Sequence, residues 1–273
     1  MKPYLLFLAL AACSDPFGIK STILRDGSFD APWGCPAPRQ TFSFSRTLHE
    51  ALDQYARGYQ VASGRAIAMC YDASSARICE GPQDARLVPA GIDPESSSID
   101  FNLPQLTPEG DHMYVGSFDL DTVVGALRDY QRVGDTWVRQ PDLPFAQNGF
   151  ISTPSSAPER HVLFNPGQDH LEEWALVGGT WQLVRTPTYA ELGISTVETM
   201  WLSPDALHLL VRAQLTPNPG VHVIATSERG ATADSFPALT QREDIIDGED
   251  PFVTADCLRL YMTGLDAVFY VTP

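Results

Sequence analysis

The chain is read as an all-β protein, a single five-bladed β-propeller with six blades as the alternative count. Three observations lead there. A strand motif returns about every 48 residues, and a fixed period of that size marks a radially or linearly repeated fold. Its 22 prolines and 20 glycines accompany a 44% hydrophobic content, which suits many short strands separated by turns. The last unit ends at residue 273 one or two strands short, while strand-like sequence is left over near the N-terminus.

The motif reads Thr107-Pro108-Glu109-Gly110-Asp111-His112-Met113-Tyr114-Val115, then Ser203-Pro204-Asp205-Ala206-Leu207-His208-Leu209-Leu210-Val211, then Thr254-Ala255-Asp256-Cys257-Leu258-Arg259-Leu260-Tyr261-Met262. Degenerate copies occupy residues 63–69 and 158–164. Marking the residue before the apolar triplet gives Ala66, His112, His161, His208 and Arg259, at intervals of 46, 49, 47 and 51 residues. After each mark come a second apolar strand, a turn and a third strand. Gly134-Asp135-Thr136-Trp137 and Gly178-Gly179-Thr180-Trp181 are equivalent hairpins in successive units. Three to four strands per repeat is the content of a propeller blade. Residues 23–32 resemble residues 229–237 of the fourth unit, so the N-terminal strands are expected to complete the last blade. Closure of that kind removes the exposed sheet edges an open array would leave.

The Ser-Pro-Asp-x-x-x-Leu strand resembles the repeats of the TolB-like, WD40-like β-propeller group. The resemblance spans about 210 residues and is carried by residues 107–115, 203–211 and 254–262. It implies the fold and no particular activity. The glycine usual after the acidic residue is kept as Gly110 but replaced by Ala206 and Cys257, and the separate N-terminal domain of TolB-type proteins has no counterpart here.

Lys2, the apolar run over residues 4–12 and Leu10-Ala11-Ala12-Cys13 have the order of an export signal. The run falls short of the roughly 20 apolar residues a spanning helix needs. Leu-Ala-Ala-Cys resembles the bacterial lipobox, which implies cleavage before Cys13 and lipid attachment to it. The expected organisation is a signal peptide over 1–12, a short tether over 13–20 and the propeller over 21–273. Ser14 stands where the lipoprotein pattern places the aspartate of inner-membrane retention, so the expectation is an anchor in the outer membrane, facing the periplasm or the surface.

With 34 acidic against 18 basic residues the net charge is −16, and only Lys2 and Lys20 are lysines. No basic cluster exists to hold a phosphate backbone, which excludes nucleic acid. Contact with the membrane is expected through the anchor alone, because an acidic surface is repelled by anionic head groups. In an oxidising compartment the remaining cysteines are disulfide candidates. A two-residue turn at Ser74-Ser75 would set Cys70 opposite Cys79, and a Cys35 to Cys257 bond would tie the chain ends together.

No catalytic residue is assigned. His112, His161 and His208 share one repeat position, yet Ala66 and Arg259 hold it in the other units and no ligand spacing accompanies them. No cofactor is expected; Ca²⁺ is the one ion considered, with Asp119, Asp121, Asp247 and Asp250 as its candidate ligands, the last two in a cluster with Asp244 and Glu249. Neither acidic group has the glycine and carboxylate spacing of a calcium loop. The hydrolase, zinc-protease, dinucleotide and NTP motifs are absent. Trp137, Trp174, Trp181 and Trp201 read as packing between blades more readily than as sugar platforms. The expected role is a binding module for a protein or envelope ligand. The alternative is a glycan-active hydrolase or lectin working in the central channel, with Asp119, Glu198 and Asp250 as nominal carboxylates.

Overall fold

A computed structural model of the chain describes residues 46–48, 56–71, 76–83, 85–92, 99–119, 121, 124–145, 149–218, 220–242, 248–254, 259–263 and 268–271. The described part is a β-propeller. Its first sheet is β2 (Ala56–Ala62), β3 (Arg65–Tyr71), β4 (Ala76–Pro82) and β5 (Val88–Pro89), and its second is β6 (Ile99–Leu106), β7 (His112–Asp119), β8 (Val124–Val133) and β9 (Thr136–Arg139). The third is β10 (Phe150–Ile151), β11 (His161–Asn165), β12 (Glu172–Val177) and β13 (Thr180–Arg185); the fourth is β14 (Ile194–Leu202), β15 (His208–Leu215), β16 (His222–Glu228) and β17 (Thr240–Gln241). All pairings are antiparallel. A remaining sheet joins β1 (Arg46–Leu48), β20 (Val268–Val271), β19 (Leu260–Thr263) and β18 (Glu249–Val253), in that order.

The expected count of five or six blades therefore needs correcting. Four blades are built from consecutive strands, and the remaining sheet is a seam assembled from both ends of the described chain. The fifth copy of the motif supplies β19, but its sheet is one strand short until β1 adds to β20, with Arg46 opposite Val271 and Leu48 opposite Phe269. Among the described residues one N-terminal strand, β1, completes that sheet. Residues 23–32, which suggested it, lie outside the described residues, as do Cys13, Cys35, Asp247 and Cys257.

At four of the five junctions the innermost strands touch: β2 packs on β6, β10 on β14, β14 on β18 and β18 on β2. The second and third blades meet through Tyr114 and Leu127 against Ile151, Val162 and Phe164. Neighbour contacts therefore run all the way round, and the first strands line the axis. Buried side chains between sheets form the core, with Tyr59, Trp201 and Tyr261 in one cluster under the seam and Leu163, Leu209 and Val211 in another.

Hydrogen bonds explain the repeat. The N–H of four of the five marked residues donates to a hydroxyl five or six residues earlier: His112 to Thr107 at 3.1 Å, His161 to Ser155 at 2.7 Å, His208 to Ser203 at 2.9 Å and Arg259 to Thr254 at 3.1 Å. The side chain closes the hairpin where the backbone ladder runs out, the usual role of Ser and Thr at turns. The turn geometry is kept where the glycine is not: Gly110 has φ 74 and the equivalent Ala206 has φ 59.

The register of the first blade corrects the expected cysteine pairing. Tyr71 faces Ala76, so Cys70 lies opposite Arg77 and Cys79 opposite Ala68. The two cysteines are diagonal neighbours on one face, a separation of about 7–8 Å between Cα atoms, rather than a directly opposed pair. Both are buried in the core under the seam.

Candidate functional site

Irregularity is concentrated on the strands that line the axis. Register shifts fall between Arg57 and Gln60 in β2, Phe101 and Pro104 in β6, Val197 and Thr199 in β14, and Glu249 and Phe252 in β18. Bulges bend a strand and re-aim its side chains. Here three of the shifts fall at Arg57, Glu198 and Glu249. The local sequence enforces this in two places. Gly58 holds φ 63 against Leu103. Asp250 has φ 50 although Pro251 follows it, a conformation that costs a non-glycine residue about 1–3 kcal/mol and gathers at functional sites. β14 is set by a one-turn helix, α1 (Tyr189–Leu192), with a Thr188/Glu191 capping box and Gly193 in the left-handed conformation at its end.

Six ionisable side chains from three sheets meet there in alternating sign. Arg57 of β2 places Nε 3.2 Å from Asp250 Oδ2 and Nη2 3.0 Å from Glu249 Oε2. Glu249 Oε1 lies 3.6 Å from Arg212 Nη2, and Arg212 Nη1 pairs with Glu198. Glu198 Oε1 is 3.0 Å from His222 Nε2, which also lies 3.1 Å from Gln214 Nε2. His222 thus has two settings: protonated on Nε2 it donates to Glu198, and bare it accepts from Gln214. Burial and the Arg212 charge push its imidazole below the ordinary value, with Glu249 pulling the other way. Burial raises the Asp250 carboxyl against the opposing pull of Arg57. Asp250 is 3% exposed, whereas Glu198 and Glu249 are each 38% exposed. Thr199 Oγ1, beside Glu198, is buried and makes no hydrogen bond among the described residues. Asn102, Gly149 and Phe150 stand around a small cavity that reaches Glu198.

Of the carboxylates named from sequence, the structure links Glu198 and Asp250 through Arg212, Glu249 and Arg57, and leaves Asp119 out. Asp119 ends β7, where its Oδ1 accepts the Asp121 N–H at 3.0 Å. Among the described residues no group of three His, Cys, Asp or Glu side chains is arranged to hold a metal ion. Sequence reasoning missed Arg57, Arg212 and His222, which share no motif; Arg212 and His222 stand on adjacent strands of the fourth blade, and ring closure brings Arg57 to them through Glu249.

The repeat-position histidines have another role. His112 Nδ1 contacts Asp129 at 2.8 Å and His161 Nδ1 contacts Glu173 at 2.9 Å, and both carboxylates lie two residues before the strand partner of their histidine. Glu173 also accepts from Arg185 at 2.7 Å and from both terminal nitrogens of Arg229, at 2.9 and 2.8 Å. Burial pushes the Glu173 carboxyl up, but the His161 and Arg229 hydrogen bonds and the Arg229 and Arg185 charges outweigh it and hold it down at about 2.

No protein-family model and no curated protein matches the chain. Solved structures do. A Myxococcus xanthus glutaminyl cyclase aligns over 85% of this chain and 94% of its own, at 10% identity and a TM-score of 0.53. A Xanthomonas campestris gluconolactonase aligns over 80% and 72%, at 10% identity and 0.50. A bifunctional GH43-CE protein of Bacteroides eggerthii gives 11% identity and 0.53, over 84% of this chain; the present chain spans only 34% of its length. The shared feature is the β-propeller fold. At such identities the likeness carries architecture alone, and three differently named activities on one architecture single out none of them.

Proposed function

We propose that the protein is a lipid-anchored envelope β-propeller that binds a polar envelope ligand at the mouth of its central channel. The observation that carries this reading is the alternating chain from Asp250 through Arg57, Glu249, Arg212 and Glu198 to His222. It offers donors and acceptors of both signs on a half-exposed, preorganised surface, as recognition of a polar ligand requires. Hydrolysis is supported less well. Glycosidic cleavage needs a raised carboxylic acid and a second carboxylate both reaching the substrate. Here the raised carboxyl, Asp250, is buried and hydrogen-bonded by Arg57, while the exposed Glu198 and Glu249 share Arg212.

Anchoring rests on Leu10-Ala11-Ala12-Cys13, and outer-membrane placement on Ser14. Two experiments test the reading. Cells fed labelled palmitate should label the parent and not Cys13→Ser, and label in both variants would remove the anchor from the account. A thermal-shift screen of Cys13→Ser against peptidoglycan fragments and envelope oligosaccharides should find a ligand whose shift disappears in Arg212→Ala. A ligand at 100 times its dissociation constant adds about 2.7 kcal/mol. Silence across the panel, or a shift that survives Arg212→Ala, would contradict binding at the channel mouth.

A further inference from the structure

Away from the channel, a groove of about 290 Å³ opens between the first and second blades. Arg65, Ile67 and Glu80 line one side, and Leu106, Arg132 and Trp137 the other. The matching space between the second and third blades is filled. Tyr114 faces Asp129 across β7 and β8 as Ile67 faces Glu80 across β3 and β4, a register that sets Arg65 rather than Ala66 level with His112, and the Tyr114 ring meets Trp181 at 6.2 Å. Trp181 is second in β13 as Trp137 is second in β9. Phe145 adds a ring stacked 4.6 Å from Trp174 and edge-on to Trp181 at 5.3 Å. Where the filled interface has tyrosine, the groove has isoleucine, and the space is left open.

Its polar groups are equally particular. Glu80 Oε2 accepts from Arg132 Nη1 at 2.9 Å, Trp137 Nε1 at 3.2 Å and Arg65 Nη2 at 3.3 Å. The Arg132 guanidinium lies 5.0 Å from the Trp137 ring, and its Nη2 is buried with no hydrogen-bond partner among the described residues. A buried guanidinium donor without an acceptor is expensive and asks for one. The acceptor must sit beside apolar Ile67 and Leu106. The acidic groups at the rim, Glu109 and Asp111, both paired with Arg160, and the exposed Asp135 repel an anion there. They would instead accept hydrogen bonds from hydroxyl groups. A neutral carbonyl carrying a methyl group, on a ring with hydroxyls, meets all three demands.

We propose that this groove binds an N-acetylhexosamine unit. The acetamido oxygen accepts from Arg132 Nη2, the methyl group lies on Ile67 and Leu106, and the ring hydroxyls face Glu109 and Asp111. The site is separate from the channel mouth, and because peptidoglycan fragments carry acetamido sugars, running the envelope screen in Ile67→Tyr, with and without Arg212→Ala, keeps the two proposals apart.

The test is calorimetric titration of the Cys13→Ser chain with N,N′-diacetylchitobiose and with cellobiose, the same disaccharide skeleton without acetamido groups. The acetylated sugar should bind about tenfold more tightly, the ratio expected for one hydrogen bond to a charged donor. Ile67→Tyr copies the filled interface; it should fold with an unchanged or raised melting temperature and lose the binding. Arg132→Lys, which keeps the charge but removes the fork, should reduce the preference for the acetylated sugar. Equal binding of the two sugars, no binding at concentrations on the order of 10 mM, or full binding by a folded Ile67→Tyr would each overturn the assignment.

Discussion

Two ion-pair networks use the same residue types to opposite ends. Around Glu173 one carboxylate collects His161, Arg185 and Arg229, and the Arg229 side chain is 0% exposed under Phe236, its guanidinium 4.3 Å from the ring. At the channel mouth the groups pair one to the next in a row, and all but Asp250 are partly exposed, at 22–38%. Convergence on one buried acceptor fixes the third and fourth blades to each other and leaves no polar atom of Glu173 for a ligand. A row of partly exposed pairs can exchange its members for ligand groups at little expense. The difference teaches that burial and connectivity, not residue identity, separate a scaffold network from a candidate binding surface.

The largest expected effect lies in the buried network. Arg229→Ala strips Glu173 of its bidentate partner and leaves a buried charge, so it should destabilise by about 3–5 kcal/mol and lower the melting temperature by about 10 °C. Glu173 also sets the acid limit. Its carboxyl lies lower in the fold than in the unfolded chain, so its contribution is complete above the ordinary carboxylate value and is lost as pH falls toward about 2. Urea unfolding across that window should show a loss on the order of 3 kcal/mol, absent from Glu173→Gln.

Asp250 carries the opposite sign. The fold favours its protonated form, so its contribution is present at low pH and declines as pH rises through the raised value. Asp250→Asn should therefore be neutral or stabilising by about 1 kcal/mol at pH 7; a larger loss in urea unfolding would mean that the ionised pair with Arg57 supports the fold. Smallest of all is Glu198→Gln, which weakens two partly exposed pairs, with Arg212 and His222, and should change stability by less than about 1 kcal/mol, measurable by the same denaturation.

The comparison also shows what the chain reveals before folding. The marked strands, the hairpins at Trp137 and Trp181 and the hydroxyls of Thr107, Ser203 and Thr254 repeat along the chain because each blade solves the same local problem. The His112–Asp129 and His161–Glu173 pairs are cross-strand neighbours of that kind. The channel row is only partly local: Glu198, Arg212 and His222 share the fourth blade, but the rest of the row comes from other sheets. Arg57 and Asp250 are 193 residues apart and meet only because the seam closes the ring. Counting motif copies as blades failed at the same seam, where one sheet draws on both ends of the described chain. The cysteine register failed because Tyr71, not Ala73, is the residue opposite Ala76.

The most direct test sets Arg212→Ala beside Arg229→Ala in thermal melts with and without a ligand found by the envelope screen. The account predicts that Arg212→Ala melts within a few degrees of the parent and shows no ligand shift, while Arg229→Ala melts about 10 °C lower and, below that temperature, keeps the shift. An Arg212→Ala variant that melts as low as Arg229→Ala, or that keeps the ligand shift in full, would contradict the division between binding surface and scaffold.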